Sequence, residues 1–167
     1  MSTRQPLTRA LHFEPLSARW IPDMLEIERE AYADPWSENM FFRELDNGAS
    51  HFQLAFHDGI LIGYAGFWMV LDEAHVTKVT IASDYRGLGL GAVLFAATLD
   101  FAAELGAAWV RLEVRESNTP ARRLYARFGF TEVRVRKGYY ARTNEDGIEM
   151  ARELETPPST EDEQGLD

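Results

Sequence analysis

Between residues 74 and 115 the chain reads as a strand, a loop with glycine at every second position (Gly87, Gly89, Gly91), an alanine- and leucine-rich helix to Glu104 that stops at Gly106, and a second strand from Trp109 to Arg115. Two strands joined through a helix lie side by side only in parallel, so this stretch places a parallel pair at the centre of a sheet with a helix across one face. The three glycines let the backbone approach a ligand closely, and the first turn of the following helix offers unpaired N–H groups to an anion. A merely tight turn needs one glycine, so the loop reads as a phosphate or pyrophosphate cradle. It is not a Walker loop, because Ala92-Val93 follows the last glycine where Lys-Ser or Lys-Thr is required. A dinucleotide fingerprint fits poorly too. Its third glycine is displaced to Gly91, and Glu113, at the spacing of a ribose-binding acid, sits in mid-strand rather than at a strand end.

The flanking elements follow from periodicity. Trp20, Ile21, Met24, Leu25 and Ile27 have helical spacing within residues 17–32, and residues 33–36, which include Pro35, end that helix. Ser37 is placed to cap a second helix that stops at Asn47-Gly48. Residues 51–56 and 60–70 form a hairpin about Asp58-Gly59, and 74–82 a third strand. Thr119-Pro120 starts a helix ending near Phe128-Gly129. Strands at 130–137 and 146–152 then flank an irregular Tyr139-Tyr140 loop. The order β, αα, βββ, α, β, α, ββ predicts an α/β (mixed α+β) fold: a mostly antiparallel sheet with one parallel β-α-β unit and helices on both faces. One domain spans 10–152, after a flexible N-terminus at 1–9 and before an acidic tail at 153–167 that is too polar to order itself.

Composition removes several chemistries. With no cysteine there is no disulfide, thiolate metal site or cysteine nucleophile. The four histidines, His12, His51, His57 and His75, show no paired metal spacing, so no metal is expected. There is no signal sequence and no apolar run of membrane-spanning length, which points to a cytoplasmic protein without a membrane partner. The net charge of −10 argues against direct nucleic-acid binding. The charge is uneven: residues 1–73 carry 5 basic against 12 acidic groups, whereas 111–142 carry 9 against 3.

Arg86-x-x-Gly89-x-Gly91 after the strand, with Glu113 to Tyr125 and Phe128-Gly129-Phe130, resembles the acyl-CoA-binding and closing segments of the GNAT acetyltransferases. Within that family, Asp34-Pro-Trp-Ser-Glu38, Glu73-Ala-His75, Leu112-Glu-Val-Arg-x-Ser-Asn118, Leu124-Tyr125 and Lys137-Gly-Tyr-Tyr140 resemble the RimI-like branch, which acetylates the N-terminus of a small-subunit ribosomal protein. The resemblance covers about 14–151. Gly87 departs from it, standing where the family often has arginine or lysine, and Gly138 stands where asparagine often precedes the paired tyrosines.

The resemblance implies acetyl-CoA as cosubstrate and a protein N-terminus as acceptor. Val79, Thr80 and Ile81 would pair with pantetheine as a missing strand does and supply an N–H to the oxyanion. Arg86, Gly87, Leu88, Gly89, Leu90, Gly91 and Ala92 would cradle the pyrophosphate, and Asn118 would bond pantetheine, although its position also suits a plain helix-start turn. Acetyl transfer further needs a base for the amine and a proton for the leaving thiolate. Strand alternation directs Glu113 away from the aliphatic face of Val110, Leu112 and Val114, where it can deprotonate the amine or simply pair with Arg111 or Arg115. Tyr125 is the candidate acid, or else packs beside Leu124 and Phe128. Tyr139 and Tyr140 would line the acceptor groove, one of them touching substrate and the other packing, since neighbours on a strand face opposite ways. A small amine or a lysine side chain as acceptor, and a CoA- or partner-binding module without turnover, remain as alternatives.

Overall fold

The computed structural model describes residues 11–154; the flexible N-terminus expected at 1–9 and the acidic tail beyond 154 lie outside the described residues. The strands are β1 (Leu11–Pro15), β2 (Ser50–His57), β3 (Ile60–Val70), β4 (Glu73–Ile81), β5 (Trp109–Arg115), β6 (Thr131–Tyr140) and β7 (Glu145–Glu153). The helices are α1 (Ile21–Ala31), α2 (Glu38–Asp46), α3 (Leu90–Glu104) and α4 (Thr119–Arg127). One sheet runs β1-β2-β3-β4-β5-β7-β6, antiparallel throughout except for the β4/β5 pair. No described helix is long and apolar enough to cross a membrane.

Local chemistry sets the boundaries. The first expected helix divides into a 3-10 turn at Ala18–Trp20 and α1, whose first turn contains Pro22. Ser37 Oγ accepts from the Met40 N–H and starts α2, as its position predicts. Asp58 and Gly59 both take positive φ, the hairpin geometry that matches strand twist. Two boundaries move. β7 runs to Glu153 and Leu154 is buried, so the ordered chain passes the expected limit at 152. β6 extends through Tyr139 and Tyr140, which were expected in a loop; the turn is 141–144 instead.

The sheet has an apolar layer on each side. Phe95 and Leu99 of α3 pack with Val76, Val110, Leu112, Val114, Ile148 and Met150. On the other face, Ile21, Met24 and Leu25 of α1 and Phe41 of α2 pack on Phe52, Leu54 and Tyr64, covering the β2–β3 half. α1 therefore leaves the β5–β7 half of its face open. Along that half Arg111, Glu113 and Arg115 alternate with the buried Val110, Leu112 and Val114, as the sequence pattern requires.

Parallel pairing of β4 with β5 covers only Glu73–His75 against Trp109–Arg111. A register shift between β3 and β4 at Gly66/Phe67 leaves Thr77 as an extra residue in β4, and beyond it the two central strands separate. The edge of β4 from Thr77 to Ile81 that faces β5 thus has no ladder partner.

A buried ion pair ties the covering helices to this edge. The Glu28 carboxylate on α1 is fully buried and accepts from Lys78 Nζ at 2.5 Å, from the Trp36 N–H at 3.0 Å and from the Tyr64 hydroxyl. The Lys78 ammonium lies 4.0 Å from the Tyr32 ring centroid and 4.6 Å from that of Trp36. Burial lowers the Lys78 pKa, and Glu28 opposes that shift. Removing one partner strands the other charge in the interior. Lys78→Met should therefore cost about 3–5 kcal/mol of unfolding free energy, and the double variant Glu28→Gln/Lys78→Met measurably less, as read by urea denaturation.

Candidate active site

A cavity of about 270 Å³ opens where β4 and β5 part, lined by Tyr32, residues 76–79 of β4, residues 112–115 of β5, Asn118, Tyr125 and Tyr140. Glu113 stands at its floor with a side chain 8% exposed, and its Oε2 lies 2.6 Å from Nε2 of His75, which is 44% exposed. Neither neighbouring arginine takes Glu113. Arg111 donates to Glu149 at 2.5 Å, and Arg115 donates to Thr143 at 2.8 Å and Glu145 at 3.3 Å. Glu149 is itself buried: desolvation opposes its ionisation, but the Arg111 guanidinium, with Arg134 and Arg136 behind it, holds its pKa below the usual carboxylate range. The arginines are committed elsewhere, and Glu113 is left to His75.

His75 is the residue that sequence reasoning did not assign a role. It was visible only within the tract Glu73-Ala-His75, and its meeting with Glu113 depends on the parallel register, which places His75 opposite Arg111 and two residues from Glu113 along β5. Strand alternation in 74–82 and 109–115 puts both groups on one face, but nothing in the sequence sets the offset between the strands.

Tyr125 reaches the same cavity from α4, with its ring against Phe95 at 5.0 Å and Phe130 at 6.2 Å between centroids. It both packs and lines the cavity, so the two expectations for it coexist. Burial, with smaller contributions from Tyr32 and Tyr140, pushes its pKa up to about 12. The phenol holds its proton at neutral pH. Asn118 likewise does two things: its Oδ1 caps α4 by accepting from Ala121 N at 3.3 Å, and the residue lines the cavity.

At the other end of the splay, Gly87 and Gly89 take φ of +76° and +77°, and Gly89 is the left-handed N-cap of α3. A Cβ at either glycine would meet nothing within 4 Å, so the concave side of the loop is open. No side chain caps α3 and no acidic residue occupies its first turn, which leaves the N–H groups of Leu90, Gly91 and Ala92 free to meet an anion. Arg86 turns back, its Nε donating to the Ile81 carbonyl at 3.0 Å, and Leu88 is exposed. The Tyr32 hydroxyl lies 2.7 Å from Thr80 Oγ1 and fixes the strand edge from the α1 side. Val79 and Ile81 point to the other layer, against α3.

The paired tyrosines correct an expectation. Gly138, at φ +62°, and a register irregularity between Arg136 and Tyr140 break the alternation of β6. Tyr139 and Tyr140 consequently meet edge to face, with ring centroids 5.0 Å apart, and both line a second cavity of about 300 Å³ with Trp68, His75, Val76, Thr77 and Glu113. Tyr140 is additionally held by the Arg115 guanidinium, 4.1 Å from its ring centroid.

The model of the acetyltransferase (GNAT) family matches residues 21–130. The chain belongs to the GNAT acetyltransferase family. A relative from Escherichia coli (strain K12) named as ribosomal protein bS18-alanine N-acetyltransferase is 38% identical over 133 residues, 78% of this chain and 89% of that protein. The crystal structure of the ribosomal-protein-S18-alanine N-acetyltransferase from Escherichia coli superposes with a TM-score of 0.82 at 31% identity, covering 90% of this chain and 97% of that one. Arabidopsis thaliana NAA60, solved in complex with acetyl-CoA, shares the fold, with a TM-score of 0.77 at 19% identity over 86% of this chain and 98% of that one. This GNAT chain presents an unpaired strand edge on β4 and, at its end, an open turn that leads into the uncapped N–H groups of α3.

The raised Tyr125 pKa makes a pH prediction for this GNAT site. A phenol is lost as a proton donor only above its pKa, so kcat should show no alkaline fall from this group up to about pH 10, where an ordinary tyrosine is already half ionised, as the pH–rate profile of the native protein against that of Tyr125→Phe will show.

Proposed function

We propose that this protein transfers the acetyl group of acetyl-CoA to the N-terminal α-amine of a protein, the acceptor being the N-terminal alanine of a small-subunit ribosomal protein. The observation that carries the mechanism is the contact between His75 and buried Glu113, a carboxylate that lines one cavity with Tyr125 beside the unpaired edge of β4 and a second with His75. The names of the relatives support the choice of acceptor.

Acetyl-CoA supplies the thioester, and the chain's own groups handle the charges and protons. The half-exposed His75 imidazole meets the incoming ammonium, and Glu113 behind it stabilises the imidazolium formed when the proton is taken; together they act as the base foreseen at Glu113 alone. A backbone N–H within Val79, Thr80 and Ile81 faces the carbonyl oxygen as charge develops on it. The amine nitrogen bonds to the acetyl carbon, the carbon–sulfur bond breaks, Tyr125 gives its proton to the departing sulfur, and the second proton lost from the nitrogen as the amide forms returns through water to the Tyr125 phenolate. Transfer is direct, since the sequence has no cysteine to carry the acetyl group. The loop Arg86, Gly87, Leu88, Gly89, Leu90, Gly91 and Ala92 holds the pyrophosphate, Asn118 bonds the pantetheine arm, and Tyr139 and Tyr140 line the acceptor groove.

A peptide with a free N-terminal alanine, incubated with acetyl-CoA, should gain one acetyl group at its α-amine by mass spectrometry. Glu113→Gln, His75→Ala and Tyr125→Phe should each lower kcat by about 10²–10⁴-fold while leaving acetyl-CoA affinity within a few-fold of the native value. Acetylation only of small amines or of a lysine side chain in the same panel would replace this acceptor, and coenzyme A binding without any thiol release would replace catalysis itself.

A further inference from the structure

We propose that Trp68 and Glu44 form a subsite for the second residue of the acceptor, and that the subsite selects a cationic side chain; the inference rests on the peptide-acceptor reading above. Trp68 is paired directly with His75 across β3 and β4, and both line the cavity that contains Glu113 and Tyr139. Its side chain remains accessible, at 39% exposure for the residue, yet its orientation is fixed, because Nε1 donates to Glu44 Oε2 at 2.7 Å. The same Oε2 accepts from Ser50 Oγ at 2.5 Å, while Oε1 has no protein partner among the described residues. A held aromatic face thus stands next to a carboxylate oxygen that is free to accept.

The position relative to the chemistry is set by the sheet. Neighbouring strands are ~4.8 Å apart and an extended chain advances ~3.4 Å per residue, so an amine above His75 on β4 places the next residue over β3 and Trp68. The opposite direction, toward β5 and β6, leads a peptide to Arg111, Arg134 and Arg136 around Glu149, a cluster that repels cations. Toward β3 a guanidinium or ammonium would meet the indole face and the Glu44 carboxylate together. This arrangement favours arginine or lysine at the second position and opposes glutamate there.

The test compares three peptides identical except for arginine, alanine or glutamate after an N-terminal alanine. The native protein should acetylate them in that order of kcat/KM, the arginine peptide about tenfold above the alanine one. The advantage should fall with added salt and shrink severalfold in Glu44→Gln and in Trp68→Ala, whereas Trp68→Phe should keep part of it. The thermal unfolding midpoint and the acetyl-CoA Kd should stay near native in Glu44→Gln, which separates a subsite from a damaged fold. Equal rates for the three peptides with the native protein would overturn the subsite and leave the acceptor reading standing. A preference for arginine that survives both Glu44→Gln and Trp68→Ala would also overturn it. No transfer to any of the three α-amines would overturn both.

Discussion

Everything specific to this fold depends on how little of β4 pairs with β5. Three residues on each strand are in register before the extra residue at Thr77 turns β4 away. A fully paired parallel ladder would bury the strand edge and close the sheet. Stopping the ladder leaves a row of backbone donors and acceptors that water or a ligand must satisfy, because an unpaired buried peptide group is costly. The same divergence separates the side chains of β4 and β5 enough to open the cavity, yet only after the paired stretch has brought His75 and Glu113 together. The unpaired edge and the His75–Glu113 contact therefore arise from one backbone event.

An open splay needs something other than hydrogen-bonded pairing to hold its walls. On the acceptor side the buried Glu28–Lys78 pair joins α1 to β4, and the same carboxylate accepts from the Trp36 backbone in the loop between α1 and α2. Tyr32, stacked on the Lys78 ammonium, rests its hydroxyl on Thr80 at the unpaired edge. This is an expensive way to attach a helix, since both charges lose their water. A hydrophobic contact would hold α1 as firmly, but it would not fix the direction of the loop by hydrogen bonds. On the other side α3 is anchored by Leu90, Leu94 and Phe95, whose burial keeps the first turn of that helix, and hence its N–H groups, aimed into the mouth of the splay.

The architecture was legible because each element is locally consistent. Ser37, Asp58-Gly59, Gly106 and Thr119-Pro120 punctuate the chain where the structure changes, and the alternation of 109–115 directed Glu113 to its face correctly. What escaped were facts of register. Spacing along β5 offers Arg111 and Arg115 as partners for Glu113, whereas its partner comes across the sheet from β4. Arg111 was unavailable because it is held by Glu149, a carboxylate whose burial could be known only once β5, β6 and β7 were placed side by side. Tyr139 and Tyr140 escape for the same kind of reason: strict alternation would separate them, and the positive φ at Gly138, with the accompanying irregularity, brings their rings together. Gly138 departs from related sequences, but a glycine in a strand does not announce which way the chain will bend.

The net charge of −10, prominent in the composition, matters less to the site than the separation of its parts. Around the reacting atoms the protein arranges burial more than charge. Tyr125 is enclosed by Phe95 and Phe130, and that burial keeps its proton on. His75 is almost half exposed, while Glu113, the carboxylate it contacts, is nearly buried. In the proposed reaction an acid and a base in adjoining cavities would neutralise each other's purpose if their surroundings were alike. Here the difference in solvent access gives each a separate role, and it follows from the layers of the sheet: Tyr125 belongs to the closed side packed by α3 and α4, and His75 to the side that α1 and α2 cover only in part.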